Sequence, residues 1–215
     1  VVDPDGKVVG RWGDIDRPID GRSAIKPLQA LPMIESGAAD RYGLGTAEIA
    51  LACASHNGEP GHVGPVQAWL DRIGCAIEDL ECGPQAPTHD PTIETLIKTG
   101  RKPSAIHNNC SGKHTGFLCT ARHLGEPTHG YIDYEHPVQQ RILGVLEQMT
   151  GLRLNDAPRG IDGCGIPVIG IPLGNIAMAM ARLADPQDLP PARAAAARRI
   201  VSAMTAEPFM VAGTA

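Results

Sequence analysis

Ser23 and Lys26 stand three residues apart in Arg22-Ser23-Ala24-Ile25-Lys26-Pro27-Leu28-Gln29, a stretch that reads as the start of a helix. On a helix, residues i and i+3 share a face, so Ser23 Oγ and Lys26 Nζ are expected to meet. A lysine kept neutral by burial can take the proton from a serine and turn a poor nucleophile into a usable one. Leu28, Leu31 and Ile34 recur at helical spacing and should draw the segment into the core, carrying Lys26 into a dry environment. The plain alternative is a capping serine beside a solvated lysine.

Three more polar turns lie beside apolar helices or strands, an arrangement that active sites favour. In Asn108-Asn109-Cys110-Ser111-Gly112-Lys113-His114, Cys110 and Lys113 could face one point, and the backbone N–H groups ahead of the helix could bind an anion. The alternative there is a helix cap with a buried thiol. In Gly160-Ile161-Asp162-Gly163-Cys164-Gly165, the glycines imply an unusual backbone shape or close approach to a ligand. Otherwise it is a tight turn with Asp162 bonded to its own backbone. In Ser55-His56-Asn57-Gly58-Glu59, Ser55 could be a second nucleophile and Glu59 a charge partner for substrate; the alternative is an ordinary turn. Cys110 and Cys164 could supply two legs of a zinc site, with Lys113 or His114 as the third and water as the fourth. Lysine is an uncommon ligand because its proton must leave first. His62, His89, His123, His129 and His136 read as surface residues, and Cys53, Cys75, Cys82 and Cys119 as structural.

The elements that must position these groups are mostly helical. The Ser23 helix should run to Gly37, with a kink or early stop at Pro32. A buried helix capped by Thr46 should span Thr46 to Ala54. Others are expected from Val63 to Gly74, Thr92 to Thr99, from His114 through Leu124, from Pro137 through Met149, and from Ala192 to Ala206. Strand signals are few: a hairpin over Val1–Val9 and a short apolar strand over Val168–Ile171.

Composition narrows the classes. The chain carries a net charge of −5, has no long basic run and is only 3% aromatic, so neither nucleic-acid binding nor base stacking is expected. No apolar run approaches the ~20 residues of a membrane span, and no signal peptide is visible, although the chain begins at Val1. Six cysteines without a Cys-x-x-Cys pair suit a reducing, cytoplasmic setting with free or metal-bound thiols. We expect one α+β domain over residues 1–215, with helices packed around a central sheet.

Four motifs in this order resemble the rhizobial-type L-asparaginases of the asparaginase II family. They are Arg22-Ser23-x-x-Lys26-Pro27-x-Gln29-Ala30-Leu31-Pro32, Ala54-Ser55-His56-x-Gly58-Glu59, Asn108-Asn109-Cys110-Ser111-Gly112-Lys113-His114-x-Gly116 and Asp162-Gly163-Cys164-Gly165-x-Pro167. The resemblance implies a serine β-lactamase/glutaminase-like fold and hydrolysis of L-asparagine to L-aspartate and ammonia. It implies catalysis by Ser23, Lys26 and Ser55, zinc on Cys110, Lys113 and Cys164, and a grip on the substrate by Asp162, with Arg22, Glu59 and His114 around it. A homodimer is a further expectation. It also implies a second catalytic lysine on C-terminal strands, which this chain stops short of, so the sheet is expected to be incomplete. The alternatives are a glutaminase or another Ser-x-x-Lys acyl hydrolase, and an inactive zinc- or amino-acid-binding remnant.

Overall fold

The computed structural model describes residues 1–214. In chain order its first elements are β1 (Pro18–Asp20), α1 (Lys26–Gln29), α2 (Leu31–Glu35), α3 (Ala38–Arg41), α4 (Thr46–Cys53), α5 (Pro60–Ile73) and α6 (Asp90–Lys98). The second half holds α7 (Ser111–Leu124), α8 (Pro137–Thr150), β2 (Arg159–Ile161), β3 (Pro167–Pro172), α9 (Leu173–Ala184), α10 (Pro191–Ala206) and α11 (Pro208–Ala212). This is a mixed protein, largely helical, with a small antiparallel sheet in the order β1-β3-β2.

The sheet is built around β3, whose Val168, Ile169 and Ile171 are buried while both neighbouring strands are exposed. Ile19 pairs with Ile171 on one side and Gly160 with Val168 on the other. Strands β2 and β3 form a hairpin whose turn is Asp162-Gly163-Cys164-Gly165-Ile166. There the Asp162 N–H donates to Ile166 O, the Gly165 N–H donates to Asp162 O, and Gly165 takes a φ of 88° that an L side chain rarely adopts. The glycine-rich turn is therefore a hairpin tip, and its first strand was not expected. Three residues with a glycine at the centre carry too little alternation to be read as a strand.

Helices α4, α7 and α10 pack together, with α5 against α7 and α8 against α9. Leu51, Trp69, Leu70, Leu118 and Met149 are fully buried in the resulting core. At Gly112 the first turn of α7 meets the end of α4: a Cβ there would stand 2.5 Å from Leu51 O and 2.9 Å from Leu51 C. Backbone atoms cannot swing aside as a flexible side chain can, so this contact requires glycine.

Several expectations change. The Ser23 helix is not continuous. A 3-10 turn over Arg22–Ile25 leads into α1, the chain breaks at Ala30, and α2 ends before Gly37 at φ 83°. Pro27 and Pro32 each sit in a first turn, where the missing N–H is harmless, so they divide the segment into short pieces. Thr46 does not cap α4; Gly45 does, with Glu48 accepting from its N–H, while Thr46 Oγ1 donates to Glu207. The Val1–Val9 hairpin reduces to one bridge between Val2 and Val8. His62 and His136 are buried, not surface residues. All six cysteines are free thiols, and Cys75 alone among them is only partly buried.

Gly112→Ala should lower stability by roughly 1–3 kcal/mol through overpacking, a drop of several degrees in Tm by thermal unfolding. An unchanged Tm would mean that α4 and α7 can part without cost.

Candidate active site

Lys26 is the best-buried cation of the molecule's polar turns, at 1% exposure. Its Nζ donates to Ala54 O at 2.6 Å and to Ser55 Oγ at 2.6 Å. Ser55 Oγ in turn donates to Ser23 Oγ at 2.7 Å. The three residues come together, but not in the expected way. Lys26 touches Ser55, and Ser23 is reached only through Ser55. The 3-10 turn changes the rotation between residues 23 and 26, and the amine instead reaches the carbonyl at the end of α4. Hydroxyl protons rotate freely, so the same heavy atoms accommodate a chain running from Ser23 through Ser55 to a neutral Lys26. Burial is the main cause lowering the Lys26 pKa, and the neighbouring Lys113 adds to it, against the opposing pull of Cys110 and Cys164. Both serines are open to solvent.

Beside the amine lies a pair of sulfurs. Cys110 precedes α7, and Cys164 sits on the β2–β3 hairpin. Lys113 Nζ donates to Cys164 Sγ at 3.2 Å. A hydrogen bond from Cys164 is the largest cause lowering the Cys110 pKa to about 5. Burial opposes it, and Lys113 and Lys26 assist it. The same bond, with burial, pushes the Cys164 thiol up. The pair is thus biased so that Cys110 gives up its proton more readily than Cys164. Asn108 shapes this turn: its Oδ1 accepts from the Cys110 N–H at 2.9 Å and its Nδ2 donates to Cys82 O at 2.9 Å.

The sulfur pair is the place to test for a metal. Among the described residues, no group of three or more His, Cys, Asp and Glu side chains is placed to hold one. A zinc ion would therefore have to take an amine as its third protein ligand. Lys113 is the amine already in contact with a sulfur. Two soft thiols and an amine in a buried setting fit zinc better than magnesium or calcium, which prefer oxygen.

Asp162 closes the cluster on its other side. Its Oδ1 accepts from Arg22 Nη2 at 3.0 Å and from the Gly163 N–H at 2.7 Å. Arg22 has φ 43°, the one positive φ outside glycine among the described residues. A backbone held in this sparsely populated region, next to Ser23, is the kind of strain that gathers at functional sites.

Two expected substrate contacts are buried and already have partners within the protein. Glu59 is buried, and its carboxylate accepts from Asn57 Nδ2 at 2.7 Å, from the Thr214 N–H at 2.8 Å and from Thr214 Oγ1 at 2.9 Å. His114 has no exposed surface. The Glu81 N–H donates to Tyr131 OH at 2.7 Å, and that hydroxyl is hydrogen-bonded to His114 Nδ1, 2.9 Å away, while among the described residues His114 Nε2 is buried without a partner. That arrangement buries His114 below the site, and desolvation holds it neutral.

His56 has a positioning part that its place in a polar turn did not reveal. Its Nδ1 accepts from the Gly58 N–H at 3.2 Å, which leaves Nε2–H to donate to Ser111 Oγ at 2.9 Å. Its own N–H donates to Asn109 O. The ring stacks on His62 at 5.1 Å, and His62 stacks on Phe209 at 4.7 Å. His56 therefore ties the turn of Ser55 to the turn of Cys110. A histidine beside a serine carries no sequence signal for such a contact across 55 residues.

Buried thiols, a desolvated amine and exposed hydroxyls thus meet at these turns, an arrangement that can support nucleophilic chemistry. The family model for L-asparaginase II matches residues 1–215, and the chain belongs to that family. The family indicates a hydrolase acting on a small molecule. No curated protein matches the chain. Among the described residues, no helix is long and apolar enough to cross a membrane.

Burial, with the nearby His62, Lys26 and His107, lowers the His56 pKa to about 3. The unfolded chain binds that proton first, so His56 makes stability fall as the pH drops from about 6.5 towards 3. The loss should be on the order of 3–5 kcal/mol at most. Denaturant titrations of the wild type and His56→Gln at several pH values check this: the variant should lose less stability on acidification. Equal acid sensitivity would mean that His56 is not buried neutral.

Proposed function

We propose that the chain is an amidohydrolase that converts L-asparagine to L-aspartate and ammonia, with Ser23 as nucleophile. The Lys26–Ser55–Ser23 chain carries this reading. Ser23 Oγ attacks the side-chain carboxamide carbon while its proton passes to Ser55 and the Ser55 proton passes to neutral Lys26. Collapse of the tetrahedral adduct breaks the C–N bond, and a proton returned along the same chain leaves with ammonia. Water then attacks the acyl-serine, again deprotonated through Ser55, and aspartate is released. A free amino acid carries an α-ammonium and an α-carboxylate. Asp162 and Arg22, already 3.0 Å apart, present the complementary pair of charges beside Ser23. We infer a single domain related to the serine β-lactamases and glutaminases on the same resemblance.

A zinc ion held by Cys110, Cys164 and Lys113 would supply a Lewis acid that orients or polarises a substrate oxygen. Lys26 and the serines perform their proton transfers with or without it.

A second reading follows from one contact. Ser55, not Ser23, is bonded to Lys26 and could attack directly, leaving Ser23 to orient substrate. A β-lactam acyl transferase gains less. The tripeptide Lys98-Thr99-Gly100 does occur, but it ends α6 on the surface, with Lys98 paired to Glu94.

Ammonia release from asparagine should fall by at least about 10³-fold in Lys26→Met and Ser23→Ala, and less in Asp162→Asn kcat than in its kcat/KM. An asparagine-like diazoketone should label Ser23, read by peptide mass mapping. Label on Ser55 would exchange the roles of the two serines, and wild-type turnover in Lys26→Met would end the relay reading. Activity should rise with pH along the titration of Lys26, at a pH below the ordinary lysine range because burial lowers its pKa. Equal kcat/KM on glutamine would move the assignment towards a glutaminase, and zinc or amino-acid binding without turnover would mark a remnant.

Metal analysis of the purified chain should find zinc, and Cys110→Ser should lower its stoichiometry. Unchanged zinc in that variant would remove Cys110 from the ligand set.

A further inference from the structure

We propose that the cavity between α5, α6 and the 104–107 turn binds a small monocarboxylate with an apolar tail, at a site separate from the Ser23–Lys26 cluster. The cavity has a volume of about 400 Å³, at the small end of the range for ligand pockets. None of Ser23, Lys26, Ser55, Cys110, Lys113, Asp162 and Cys164 lines it. Val63, Ile77, Leu96 and Ile106 form apolar walls, and Arg101 and His107 supply the donors.

Charge selects the ligand's head. The chain has 24 acidic against 19 basic residues, yet no aspartate or glutamate lines this cavity. Among the described residues, the Arg101 guanidinium has no hydrogen-bond or ion-pair partner; only its backbone N–H is engaged, with Leu96 O.

His107 adds a second, independent observation. It is 8% exposed and lines the cavity. The Ser104 N–H donates to its Nδ1 at 3.1 Å, so the ring proton resides on Nε2. Among the described residues, that Nε2–H has no acceptor. Solvent reaches that nitrogen at the cavity wall, and a ligand oxygen arriving there can take the place of water. A carboxylate satisfies both groups, one oxygen on Arg101 and the other on His107. His89 is already taken, with Nδ1 on Thr92 Oγ1 at 2.8 Å and Nε2 3.8 Å from Glu59.

The apolar walls select the tail. A bare anion such as chloride or phosphate would leave Val63, Ile77 and Leu96 in contact with water. A short alkyl chain covers them.

Hexanoate titrated into the full chain and followed by calorimetry tests this, with hexan-1-ol as the neutral partner of equal length. Hexanoate should bind saturably at one site, at least tenfold more tightly than hexan-1-ol. Arg101→Gln should weaken hexanoate at least tenfold, and Thr95→Trp, which fills the cavity from an exposed position on its rim, should abolish binding. Both replaced side chains lie at the surface, so the fold should survive, as unchanged circular dichroism would verify. Any of four results would overturn the proposal. They are no saturable binding of hexanoate, equal affinity for the alcohol, unchanged binding in Arg101→Gln, and a Thr95→Trp variant that still binds. A change of oligomeric state in Thr95→Trp would likewise overturn it, because the cavity would then be a contact between copies of the chain.

Discussion

An amine removed from water is the constraint around which the rest is arranged. Taking an ammonium ion into a protein interior costs several kcal/mol even after relaxation, so a buried lysine tends to give up its charge. Lys26 keeps only as many partners as a neutral amine can use: the carbonyl of Ala54, the hydroxyl of Ser55 and the sulfur of Cys110 nearby. Each partner must come from a different part of the chain. Ala54 and Ser55 follow α4, Cys110 precedes α7, and Cys164 sits on the β2–β3 hairpin. The packing of α4 on α7 is therefore a condition of this cluster as well as of stability. Gly112 permits it by letting the first turn of α7 lie on the backbone of Leu51.

The turns themselves are held by hydrogen bonds and ring contacts between segments. Asn108 fixes the Cys110 N–H and reaches back to Cys82 and Gly83. His56 joins Ser111, and its ring continues through His62 to Phe209 on α11. Glu59 holds Thr214 through both backbone and hydroxyl. The last segment described, 207–214, is thus fastened to the same turn that carries Ser55. A movement of that segment would reach the serine through a short series of direct contacts.

Much of this was legible in the sequence where a pattern was local. Helical periodicity located α5 and α8 closely because their apolar faces repeat over three or more turns, and α10 showed as an alanine-rich run. The small-residue turns were visible as glycine and asparagine clusters. Contacts that cross the chain were not. Ser23 and Lys26 looked like partners because they are neighbours in sequence, and local spacing cannot reveal that Ser55 lies between them. His56, His62 and His136 read as surface residues or turn fillers, since a single histidine carries no periodic signal. Strands β1 and β2 escaped because three exposed residues paired to a buried strand have no hydrophobic pattern of their own.

Arg22 shows how a strained position can serve several ends at once. At φ 43° an arginine is held in a conformation that costs about 1–3 kcal/mol unless the surroundings enforce it. Glycine would relieve that strain but would remove the guanidinium that reaches Asp162, 140 residues away in sequence. The ion pair is exposed on the arginine side, so it contributes little stability by itself. Its effect is better sought in position. It draws the start of the Ser23 turn against the hairpin that carries Cys164, and it leaves two opposite charges beside the serine that we propose as nucleophile. A residue kept for stability would sit in an unstrained conformation with a buried partner. Arg22 is strained and itself exposed although Asp162 is mostly buried, which suits a residue whose part is to position the turn beside Ser23.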